Sequence, residues 1–177
     1  MILVAYASKH GATEGIARFI AERFTQLGRP AEAHRVDTIE DLAGADAVVL
    51  GSALYVGSWT KEATAFASRW TEELSRLPVW LFSSGPLGTE VDDEHEQPRE
   101  LDTLTASLHP RGHVVFFGAL DRDSLGIGER LMVKAVKAPF GDFRDWDAIT
   151  AWVDDIDRSL LFNAGAHRSV DPGVAGP

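Results

Sequence analysis

The residues that could do chemistry gather first near the N-terminus. Ser8-Lys9-His10-Gly11-Ala12-Thr13 follows a short apolar run and leads straight into a helical pattern. Two hydroxyls flank a glycine there, and the first amides of a helix are free to donate. Backbone N–H groups, hydroxyls and the helix dipole together hold a phosphate. The same residues also suit an ordinary capped turn between strand and helix, with Thr13 near the N-cap. These residues alone leave both readings open. Other phosphate-binding patterns fit poorly. Gly11 and Gly15 do not make G-x-G-x-x-G, and no G-x-x-x-x-G-K-[ST] occurs. A phospho-receiver would need acidic residues after the first strand and an Asp closing the third, where Ser8 and Gly51 stand.

The elements that must position this loop alternate between strand and helix. Ile2–Tyr6 is a continuous apolar run, as in a strand buried on both faces. Ile16, Phe19, Ile20, Phe24 and Leu27 recur at helical steps, and Gly28 and Pro30 end that helix. Ala31–Val36 reads as a second strand and Ala47–Leu50 as a third, ending at Gly51-Ser52. One helix face carries Ala63, Phe66, Ala67, Trp70 and Leu74. Val79–Phe82 is a fourth strand, ending at Ser83-Ser84-Gly85-Pro86. A loop from Leu87 to Arg99 holds Glu90, Asp92, Asp93, Glu94 and Glu96, and a short helix follows over residues 100–108. Val114–Phe117 is a wholly apolar fifth strand, expected at the centre of the sheet. Leu125–Lys137 has helical character, and Trp146, Ile149, Trp152, Val153, Ile156 and Leu160 stripe a final helix. This alternation implies an open parallel α/β sheet covered on both faces. Ligands of such sheets bind beyond the strands' carboxyl ends, which directs attention to the loops after strands one, three and four.

Composition bounds the class. The 177 residues suit one domain, expected over 1–163, with a Gly-, Ala- and Pro-rich flexible tail over 164–177. Having no Cys removes disulfides, thiolate chemistry and Cys-ligated clusters, and no metal site is expected. The net charge of −10 argues against nucleic-acid binding and suits steering of a basic partner. No targeting signal or membrane-length apolar run is seen, so the expected compartment is the cytoplasm. His95, His109 and His113 are expected at the surface. Arg130, Lys134 and Lys137 share one helical face within 122–137. That face could touch an anionic membrane, but a solvated surface helix is the favoured reading.

Tyr6–Glu14 resembles the phosphate loop of flavodoxins, with its T/S-x-T-G-x-T pattern, His10 standing where Thr is common and Lys9 adding a cation. The resemblance implies a three-layer sandwich, strand order 2-1-3-4-5, and FMN as cofactor. By the same resemblance Ser8, Lys9, His10, Gly11, Ala12 and Thr13 would hold the phosphate. Ser52, Ala53, Leu54, Tyr55, Val56 and Gly57 would pack against the isoalloxazine, with Tyr55 stacking, the Gly57 carbonyl near N5, and Trp59 flanking the ring. Ser83, Ser84, Gly85, Pro86, Leu87 and Gly88 would meet its pyrimidine edge.

The C-terminal third resembles one branch of this family. Gly118-Ala119-Leu120-Asp121, Glu129–Lys134, Gly141-Asp142, Arg144-Asp145-Trp146 and Trp152 are ordered as in menaquinone-dependent protoporphyrinogen oxidases, and Gly51–Gly57 is similar to their G-A-S-I-R-Y-G stretch. The branch implies an oxidoreductase passing electrons from a reduced small-molecule substrate through FMN to a quinone. The first alternative is an electron carrier that docks a redox partner protein. The second is a flavin-free interaction module.

Overall fold

The computed structural model describes residues 1–85, 97–120 and 141–168. Five parallel strands form the sheet: β1 (Ile2–Ala7), β2 (Ala31–Arg35), β3 (Ala47–Tyr55), β5 (Val79–Ser84) and β6 (Gly112–Phe116). β4 (Ser58–Trp59) folds back antiparallel on β3. The order is β2-β1-β3-β5-β6. Counting only the parallel strands, this is the expected 2-1-3-4-5. The fifth strand is therefore at an edge, not at the centre. Its apolar run is explained by one covered face, where Phe116 and Val114 pack on the core below the last helix.

Each strand of the centre feeds both cores, because successive side chains point to opposite faces. Ile2, Val4 and Tyr6 of β1 meet α1 (Ala12–Gln26) and α5 (Trp146–Arg168), while Leu3, Ala5 and Ala7 pack under α2 (Lys61–Arg69), α3 (Thr71–Leu74) and α4 (Leu101–Leu108). α1 ends as the sequence indicates. Gly28 takes φ 79°, a left-handed stop that glycine adopts without penalty. Arg23 grips Asp154 through Nε at 2.8 Å and Nη2 at 2.9 Å, and Arg29 reaches Asp157 at 2.6 Å, tying α1 to α5. The single helix expected over Ala63–Leu74 is broken at Trp70, but Ala63, Phe66, Ala67 and Leu74 still share the buried face.

Several of the expected boundaries move. β3 does not stop at Gly51 but runs to Tyr55, and β5 takes in Ser83 and Ser84. The reason at β3 is the hairpin with β4, whose pairs Leu54–Trp59 and Tyr55–Ser58 extend the strand. The last helix continues to Arg168, past the expected start of the tail at residue 164. Pro86, Leu87, Gly88, the acidic stretch Glu90–Glu96 with His95, the segment 122–137 and residues 169–177 lie outside the described residues.

A tight point sets the spacing at the middle of the sheet. The Phe82 ring covers Gly51 on the neighbouring strand, so that a Cβ on Gly51 would fall among the ring atoms. Phe82 then packs against Trp152, with ring centroids at 6.3 Å, and Phe116, at 6.2 Å.

A buried polar chain secures the edge strand. Trp59 Nε1 donates to Ser83 Oγ at 2.8 Å, and Ser83 Oγ lies 2.9 Å from His113 Nε2. Indole N–H can only donate, so Ser83 Oγ accepts there and keeps its own proton and a second lone pair for His113 Nε2, whose role follows the imidazole tautomer. His113 is thus not the surface residue expected. Burial pushes its pKa down to about 4. His109 does sit at the surface, ending α4 with φ 49°.

Two predictions arise from this packing. Gly51→Ala should destabilise the fold by about 2 kcal/mol or more through overpacking against Phe82; urea unfolding followed by circular dichroism checks it. For His113 the unfolded chain takes up a proton near pH 6.5 and the folded chain only near 4. Unfolding is therefore favoured as pH falls through that window. Stability should drop on the order of 2 kcal/mol between pH 7 and 4.5, allowing for partial solvent screening. His113→Gln should remove most of that slope.

Candidate functional site

The register brings three strand ends to one edge of the sheet. Ala7 lies opposite Ser52, Ala53 opposite Ser84, and Ser84 opposite Phe116. The loops after β1, β3 and β5 therefore meet, as strand alternation implied.

The first loop closes on itself before α1 begins. The Gly11 amide donates to Ser8 Oγ at 3.1 Å, and Gly11 stands at the N-cap position with φ 83°. No side chain caps the helix. Thr13, expected near the N-cap, lies one residue inside the helix instead. The amides of Ala12, Thr13 and Glu14 have no intrahelical acceptor, as at any helix start. Thr13 is 1 % exposed, and among the described residues its Oγ1 has no hydrogen-bond partner. Burying a hydroxyl unpaired costs roughly 1–3 kcal/mol. An acceptor-rich group held by the helix start would remove that cost, and a phosphate fits this set of donors. The capped-turn reading loses its cap, and the phosphate reading gains an orphaned hydroxyl.

The carboxylate in this turn is drawn aside. Glu14 accepts from Arg18 Nε at 2.9 Å and lies beside the buried Tyr6 phenol. Burial, chiefly, and then the Glu14 charge push the Tyr6 pKa up.

The second loop is a hairpin, not an open loop. Val56 (φ 53°) and Gly57 (φ 74°) form its two-residue tip, as a type I′ turn requires. Val56 is 81 % exposed, a strained setting for a β-branched residue. Ser52 Oγ accepts from the Thr60 amide at 3.0 Å, and Thr60 caps α2 through Ala63 N at 3.3 Å. Leu54 packs beside the core of that face, next to the buried Ala53. Tyr55 stands between the first two loops. Lys9 Nζ lies 4.7 Å from its ring centroid, and the His10 ring meets it edge-on at 6.3 Å. Lys9 and His10 thus orient the aromatic expected to stack on a ring.

One expected role in this loop changes. The Gly57 carbonyl, expected near N5, also accepts from the Arg99 amide at 3.0 Å. Trp59, expected to flank the ring, is instead buried in the α2 core with its N–H on Ser83. Its side chain is only 4 % exposed. The hairpin is also fixed from the far side, where the Trp59 amide donates to Glu100 Oε2 at 3.0 Å.

The third loop offers backbone. Ser83 and Ser84 are buried, and Gly85 takes φ 97° while its amide donates to the Phe116 carbonyl at 2.9 Å. A Cβ on Gly118 would stand 3.0 Å from Gly85 Cα, so these two backbones need glycine to approach. After Gly118, β7 (Ala119–Leu120) pairs antiparallel with β8 (Gly141–Asp142).

Sequence reasoning missed one residue here. Arg144 follows β8 and rests on the first turn of α1: a Cβ on Gly15 would collide with its Nη1. The available signal was Gly15 itself, since glycine inside a helix costs about 1 kcal/mol against alanine. Among the described residues no group of three or more His, Asp or Glu side chains is placed to hold a metal ion. None of the described helices is long and apolar enough to cross a membrane.

The flavodoxin domain family matches residues 3–147. The fold is similar to a two-electron reduced flavodoxin from Megasphaera elsdenii, with 21 % identity and a TM-score of 0.53 over 65 % of this chain and 85 % of that one. It is similar also to a flavodoxin from the domain Archaea (15 % identity, TM-score 0.53, 77 % and 96 % covered). Rubredoxin oxygen:oxidoreductase of Desulfovibrio gigas gives a TM-score of 0.62 at 14 % identity over 90 % of this chain, which spans 36 % of that one. No curated protein matches the chain by sequence. The chain belongs to the flavodoxin-domain family, and FMN is the cofactor that this membership implies.

Proposed function

We propose that this chain is an FMN-dependent redox protein that takes electrons from a reduced donor and passes them to an acceptor at the mouth of the cleft. The observation that carries the reading is the uncapped start of α1 with the buried, unpaired Thr13 hydroxyl. FMN, when bound, supplies the electron-accepting and electron-donating ring. Ser8 and Thr13 hydroxyls and the amides of Ala12 to Glu14 bind its phosphate. Tyr55, steadied by Lys9 and His10, offers a stacking face. The backbone around Gly85 would support the other edge. Ser52 and Ser83 act beneath the cleft, by holding the hairpin and β5 in register.

The acceptor has two readings. A redox partner protein suits the acidic chain, which would steer toward a basic surface. A quinone, as in the protoporphyrinogen oxidase-like branch, is favoured by the β7–β8 pair beyond the parallel sheet, which falls on the Gly118–Leu120 and Gly141-Asp142 motifs of that resemblance.

The visible spectrum of the purified protein, before and after adding FMN, tests the cofactor reading; a bound-flavin spectrum with FMN released on denaturation is expected. A colourless protein that ignores added FMN would sink it. Thr13→Ala should weaken FMN binding about 10- to 100-fold, the worth of a hydrogen bond to a charged group. Gly11→Asp should weaken it further, by adding like charge and a Cβ at φ 83°. Both variants should keep the native far-ultraviolet circular dichroism. Turnover of reduced FMN protein by a soluble quinone, against none with quinone absent, would favour the second acceptor.

A further inference from the structure

Arg144 belongs to no part of the site as it stands above, yet its guanidinium touches the helix on which that site is built. Its Nε and Nη2 are taken by Asp142, at 2.8 and 2.6 Å, and its face lies on the Trp146 ring at 4.6 Å. The edge that remains is Nη1, and Nη1 is the atom set against Gly15. Among the described residues this atom has no hydrogen-bond partner. Asp142 and Trp146 therefore aim the free edge of the guanidinium at the first turn of α1.

A cation in that place runs against the helix dipole, which favours negative charge at the N-terminus. The surroundings give further reason to expect an anion. Glu14 sits in the same turn of a chain with net charge −10. A phosphate at this turn would be repelled unless cations offset the carboxylates. Arg18 is spent on Glu14, and Lys9 is turned onto Tyr55. The buried Thr13 hydroxyl without a partner lies in the same turn.

We propose that Arg144 is a further binding residue for the cofactor's phosphate, reaching the first turn of α1 through the space that Gly15 leaves open. The inference rests on the reading that Ser8–Thr13 hold the phosphate of FMN. Charge-assisted contacts of guanidinium with phosphate are among the stronger hydrogen bonds. Gly15 acquires a reason, because any side chain there would displace the guanidinium.

The experiment compares FMN with riboflavin, which lacks the phosphate, by flavin fluorescence titration of the full chain. Arg144→Gln should weaken FMN about tenfold or more and leave riboflavin within about twofold. Gly15→Ala, which keeps every charge, should reproduce much of that loss, and should add nothing in the Arg144→Gln background. FMN affinity within about twofold in both single variants would overturn the proposal. So would equal losses for FMN and riboflavin, which would make Arg144 a purely structural residue. Wild-type protein that binds no FMN would overturn the cofactor reading and this inference with it, whereas tight FMN binding with indifferent variants would overturn this inference alone.

Discussion

The contact between Phe82 and Gly51 fixes the molecule at its middle. With no side chain on β3 at that point, the ring from β5 lies flat across the neighbouring strand and fills the core below. Trp152 and Phe116 then pack around it, which brings the last helix and the edge strand onto the same aromatic group. Interiors this dense transmit small displacements rather than absorb them. The ends of β3 and β5, at Tyr55 and Ser84, follow from this packing, and the proposed cofactor cleft lies at those ends.

The polar groups beneath the cleft and those lining it are treated differently. Ser52, Ser83, Thr60 and the Trp59 indole bond to one another or to backbone, so that they act as buried pins. Thr13 Oγ1 is fully buried and has no partner among the described residues. Buried polar atoms in folded proteins are nearly always paired. The unpaired hydroxyl falls on the loop that the sequence singles out, which is the ground for proposing a ligand there.

Much of the architecture was legible from pattern. Ile2–Ala7 is apolar throughout because it is buried on both faces, and the helical stripe of α1 ends at Gly28 as its composition says. The turn between β1 and α1 was legible because Ser8–Thr13 are small or polar residues set between an apolar run and a helical stripe. What stayed hidden depended on partners distant in the chain. The strand continuing through Gly51–Tyr55 needs β4 to pair with it. Trp59 reads as a cleft aromatic until Ser83, 24 residues later, takes its N–H. His113 looks like a surface residue in an apolar run until Ser83 reaches its ring. Arg144 is 129 residues from Gly15, and no local periodicity links them.

The two lateral margins of the sheet are unlike its carboxyl end. On one margin β2 carries Glu32, His34 and Arg35, with Glu32 and His34 paired at 2.9 Å and Arg35 held by Asp37 at 3.0 Å. Charged side chains along a border strand discourage another chain from adding to it. Growth of the sheet by strand exchange is thus disfavoured on that flank. The exposed tip at Val56–Gly57 stands elsewhere, at the carboxyl end of β3, so the charged border and the hairpin face different surroundings.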